Sequence, residues 1–84
     1  MVNSQQILER QNYLVGWNSE LPQQERIKFA IDSRPMFWTQ AKRLLSAAKE
    51  LQGLAEITND YETRTKAQED VNYLIKEYRK LKGY

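Results

Sequence analysis

Eighty-four residues with 29% charged and 40% aliphatic or aromatic content suffice for one domain with a modest core, read as a single unit over 1–84. Thirteen basic against eleven acidic side chains leave a net charge of +2, too small and too interspersed to mark a committed nucleic-acid domain. The absence of Cys and His removes disulfides, thiolate chemistry, the commonest general base and the commonest metal ligand.

Only three Gly and two Pro occur, which suits a few long helices and disfavours a turn-rich β protein. No apolar run approaches the roughly 20 residues of a bilayer span, and the leading MVNSQQILER lacks the apolar segment of a signal peptide. A cytoplasmic location is expected, including host cytoplasm for a virus-encoded protein. Many phage and mobile-element proteins share this size and helical build.

In chain order, Asn3 or Ser4 is a candidate N-cap for a first helix over about Gln5 to Asn18. Ile7, Leu8, Leu14 and Val15 share one side, while Tyr13 and Trp17, four apart, form another. Gly16 falls inside this pattern, where it permits a close helix crossing. The run Asn18-Ser19-Glu20-Leu21-Pro22 reads as a break. A short second helix over about Pro22 to Asp32 follows, with Ile27, Ala30 and Ile31 on its apolar side and Phe29 away from them.

The most regular stretch is the third, Pro35 to Ile57. Phe37, Ala41, Leu44, Ala48, Leu51 and Ala55 recur at alternating four- and three-residue steps, which places them along one face of a helix. Trp38 and Leu45 flank that stripe, and Leu54 lies outside it. Ala41 and Ala48 mark a close approach by another helix. Gly53 offers a C-terminal stop, yet Ala55 keeps the register, so continuation to Thr58 is favoured. Asn59 and Glu62 have capping-box spacing for a fourth helix over about Asp60 to Lys82. Its stripe, Ala67, Val71, Leu74, Tyr78 and Leu81, repeats the four-three alternation, with Ile75 on the flank and Gly83 as the stop. Two long helices of matching period and a short connection predict an antiparallel hairpin. The expected fold is therefore an all-α small bundle built on a hairpin of helices at about 35–57 and 60–82, with two shorter N-terminal helices packed on it.

Chemistry is sparse. The acidic spots Asp60-Tyr61-Glu62 and Glu69-Asp70 have no metal-site spacing and read as solvated groups or partners of a helix dipole. The glycines are isolated, so no phosphate loop is present. Without His, no Ser or Thr has an evident activating base. The chain is expected to be a non-enzyme without catalytic, cofactor or metal residues.

Aromatics outside the main stripes point to protein contact, with another protein or with a second copy of this chain. The candidates are Tyr13, Trp17, Phe37, Trp38 and Tyr73, the two central ones doubling as core residues. The alternative is nucleic-acid association through Lys42, Arg43, Lys49 and the basic last turns Lys76, Arg79, Lys80 and Lys82. A helix-turn-helix reading of helices two and three fails on a turn without glycine and on Phe37-Trp38 at the base-reading end.

Overall fold

The computed structural model describes residues 4–83, so the candidate cap Asn3 and the terminal Tyr84 lie outside the described residues. Four helices follow one another: α1, Ser4–Asn12; α2, Gln23–Asp32; α3, Gln40–Ile57; and α4, Tyr61–Lys82. The last two are the longest and pack most extensively, as the antiparallel hairpin their matching periods predict. α1 lies on α3, and α2 packs on both α3 and α4.

Leu44, Ala47, Ala48, Leu51, Leu54 and Ala55 of α3 meet Ala67 and Leu74 of α4 in the centre of the core. Full burial of each such leucine contributes about 1.5–3 kcal/mol. The alanines are as buried as the leucines: Ala47 and Ala67 are 0% exposed and Ala48 is 2% exposed. Small side chains at the seam let the two backbones approach closely, as predicted for Ala48; Ala41, the second residue of α3, is only half-buried. Leu54 is fully buried, and Leu81, in the last turn of α4, is 53% exposed. Gly53 stays helical, and α3 runs to Ile57.

Three helix boundaries differ from the sequence expectation, each for a local reason. α1 stops at Asn12, and the chain then turns through Gly16 at φ +89°, a backbone angle that favours glycine. Gly16 therefore serves a turn under the Phe29 ring instead of a helix crossing. Once the helical register is lost after Asn12, Leu14 is buried and Val15 exposed; Leu8, on α1 itself, is also exposed. α3 begins at Gln40, five residues later than Pro35. Thr39 has extended backbone, and its hydroxyl accepts from the Lys42 amide at 3.2 Å, which makes it the N-cap. Residues 35–38 form a turn closed by the Trp38 amide donating to the Pro35 carbonyl at 3.2 Å. At α4, Asp60 and not Asn59 is the cap: the Thr63 amide and hydroxyl donate to its Oδ2 at 3.0 and 2.6 Å. Those two bonds hold the Asp60 carboxyl below the usual carboxylate range, the hydroxyl bond contributing most. Gly83 ends α4 in the left-handed conformation, as its position implies.

Candidate functional site

Two places in this fold combine chemistry-bearing side chains with defined geometry: a buried polar node that joins the N-terminal half to the hairpin, and the surface at the α3-start, α4-end extremity.

The node is centred on Asp70. It sits three residues after Ala67 and four before Leu74, so the helical period turns it inward, and it is 0% exposed. A buried carboxylate is tolerated only if its oxygens are well partnered. Arg26 supplies two of the partners, donating from Nε to Oδ2 and from Nη2 to Oδ1, both at 2.9 Å. The Trp17 indole N–H donates to Oδ2 at 2.9 Å, and the Gln23 amide to Oδ1 at 3.3 Å. Arg26 is itself 2% exposed; its Nη1 donates to the Leu21 carbonyl at 2.7 Å, and Glu69 lies 3.8 Å from Nη2. The bond to Asp70 raises the guanidinium pKa above its ordinary value, against the opposing effect of burial. Asp70 is thus a structural anchor, and its expected solvated role is overturned. Trp17, one of the aromatic contact candidates, belongs to this node and is 7% exposed.

A second set of arginines fastens the turn before α3. Arg34, 8% exposed, donates from Nη1 to Ser46 Oγ at 3.2 Å and from Nη2 to the Tyr13 carbonyl. Arg43 donates from Nη2 to the Ile31 carbonyl at 3.2 Å and lies 3.8 Å from Asp32, completing the C-terminal end of α2. A cation there also complements the negative end of the helix dipole. Of the basic residues considered for nucleic acid, Arg43 is therefore engaged within the fold. Lys42 stands 4.3 Å from the Trp38 ring centroid, a cation–π contact. Lys49, Lys76, Arg79, Lys80 and Lys82 are exposed.

The remaining aromatic candidates are spread out. Tyr13 is exposed in the turn after α1, far along the chain from Phe37 and Trp38, which meet edge-to-face at 6.5 Å between centroids. Phe37 is 87% exposed and Met36 79%, so the start of the predicted stripe projects into solvent. Trp38 is half-buried. Tyr73, 41% exposed, stands on the flank of α4 over an open groove of about 470 Å³. Ile27 and Ile31 of α2, Gln40 and Leu44 of α3, and Glu77, Lys80 and Leu81 of α4 complete its walls. Because α3 and α4 are antiparallel, the basic last turns of α4 lie at the same extremity as Phe37, Trp38 and Lys42. The described residues form an all-α bundle of four helices with exposed apolar side chains where α3 begins. Comparison with known families, curated proteins and solved structures finds no match. No helix among the described residues is long and apolar enough to cross a membrane.

Proposed function

We propose that the chain is a non-catalytic protein–protein interaction module, a small accessory, assembly or inhibitory subunit working in the cytoplasm. The observation that carries the reading is a set of exposed apolar side chains around the start of α3 and the second half of α4; Leu8, Tyr13, Val15 and Tyr61 are exposed elsewhere. Met36 and Phe37 project from the turn before α3, while Tyr73 and Leu81 border the groove that Gln40, three residues after Phe37, also lines. Apolar groups left exposed in this way mark a surface that another macromolecule covers. Size-exclusion chromatography with light scattering, combined with affinity capture from the source extract, tests it. A higher-order species or a stoichiometric partner is expected; a monodisperse monomer that captures nothing refutes the reading.

Nucleic-acid association is the second reading, supported by the exposure of Lys42, Lys49, Lys76, Arg79, Lys80 and Lys82. Its test must spare Arg43, whose loss would disturb the α2 terminus. Unchanged low-salt binding of DNA and RNA after Lys42→Glu, Lys49→Glu and Lys80→Glu together removes this alternative.

A further inference from the structure

We propose that α1 is a releasable strap: it undocks from α3 and melts while the rest of the chain stays folded, uncovering the α3 face around Glu50, Gly53 and Ile57. This goes beyond the interaction reading and stands without it.

The hold on α1 is thin. It has 9 residues, below the roughly 12–15 at which an isolated helix is even marginal in water, so docking is what keeps it helical. Of the other helices it packs on α3 alone. Ile7 and Arg10 are half-buried, and its other described side chains are exposed, Leu8 at 57%. Ile7 touches the core from its rim. An open groove of about 500 Å³, lined by Gln6, Glu9, Arg10, Tyr13, Glu50 and Ile57, brings water to the α1–α3 seam.

The chain beyond α1 is fastened differently. The Tyr13 carbonyl accepts from Arg34 Nη2, Leu14 is 1% exposed, and the Trp17 indole donates to Asp70. The boundary between strap and body therefore falls at Tyr13, and α1 can leave without disturbing the Asp70 node or the α3–α4 seam. Segments with few buried apolar contacts open at far lower cost than the core.

The clasp is Arg10, seated over Gly53 and bonded to Glu50. Arg10 Nη1 donates to Glu50 Oε2 at 3.0 Å across the seam. A Cβ at position 53 would lie 2.8 Å from the guanidinium carbon. Alanine there would strengthen α3, because glycine inside a helix is destabilising, yet it would push Arg10 from its seat. Helix stability and the hold on α1 are opposed at this one residue.

Native-state hydrogen exchange on the full chain, with limited trypsin digestion beside it, tests the strap. Amides 8–12 should exchange at least about 100-fold faster than those of Leu51 and Leu74, both fully buried. The first tryptic cut should fall after Arg10 and leave 11–84 helical. Glu50→Gln should speed exchange in α1 about two- to fivefold, the effect of losing a part-exposed ion pair, and leave the hairpin unchanged. Gly53→Ala should speed exchange in α1 while slowing it in the hairpin and raising the thermal midpoint. Protection of α1 equal to that of the hairpin, or a first cut elsewhere, overturns the proposal. So does α1 exchange indifferent to either variant, or Gly53→Ala moving α1 and the hairpin in the same direction.

Discussion

Replacing Asp70 by Ala removes the acceptor for four donors at once. The Arg26 guanidinium, 2% exposed, is left without its carboxylate, a loss that costs about 3–5 kcal/mol for a buried pair. The stranded Trp17 indole N–H adds about 1–3 kcal/mol. The Leu21 carbonyl at 2.7 Å and Glu69 at 3.8 Å still face the guanidinium and offset part of this. A net loss of about 4 kcal/mol is expected, against a total stability on the order of 4–13 kcal/mol for a chain of this length. Asp70→Ala should therefore keep about 0–9 kcal/mol of stability at 25 °C, its unfolding midpoint falling well below that of the wild type. The companion variant Asp70→Leu/Arg26→Met discards both charges together. It should recover most of the loss, because apolar pairs of similar volume often match or exceed a buried ion pair. Denaturant unfolding followed by far-UV circular dichroism and tryptophan emission measures both. If Asp70→Ala costs less than about 1 kcal/mol, or the double variant is no better than the single one, the node is open to water and the reasoning is wrong.

Three further outcomes follow from local geometry. Gly16→Ala should cost at least about 1–3 kcal/mol in chemical denaturation, because φ is +89° and the added Cβ would meet the Phe29 ring at 2.6 Å. Ala48→Leu should overpack the α3–α4 seam and cost about 1–3 kcal/mol; a gain in stability would place Ala48 beside a void. Asp60 has a depressed carboxyl pKa in the folded state, so its stabilisation is complete above the unfolded value and is lost as pH falls through the folded one. Thermal midpoints of wild type and Asp60→Ala should accordingly differ at neutral pH and converge in acid; a constant gap would show that the cap does not act through its charge.

The hairpin was legible because two long stretches repeat the same four-three spacing of apolar residues, a pattern that strands and loops do not produce. Its lower edge was misread because Pro35, Met36, Phe37 and Trp38 continue that pattern in composition. The deciding feature was Thr39, whose hydroxyl starts α3 and leaves Phe37 in solvent. A similar competition shortened α1: Tyr13 and Trp17 fit a helical face, but Gly16 turns the chain and sends the indole to Asp70. Asp70 was readable in principle. Its distances of three from Ala67 and four from Leu74 put it on the buried face, and only its charge argued for solvent. Its partners lie 44 and 53 residues earlier in the chain, so no local pattern announces them. Likewise, Arg43 looked like a free cation because the α2 terminus it completes is adjacent only in the fold. Tyr73 was correctly set apart from the α4 stripe, whereas the α2 wall opposite it depends on a helix packing that sequence spacing does not encode.

Site-specific photocrosslinking tests the central claim most directly, by placing a photoreactive phenylalanine analogue at Tyr73 or at Tyr61. Both side chains are solvent-accessible, 41% and 79% exposed; Tyr61 opens the 22-residue α4, and Tyr73 lies just past its midpoint. Illumination of the full chain in its source extract should join a partner protein to the Tyr73 variant and leave the Tyr61 variant uncoupled. Crosslinking from Tyr61 with none from Tyr73 would contradict the account and move the contact surface to the other end of the bundle.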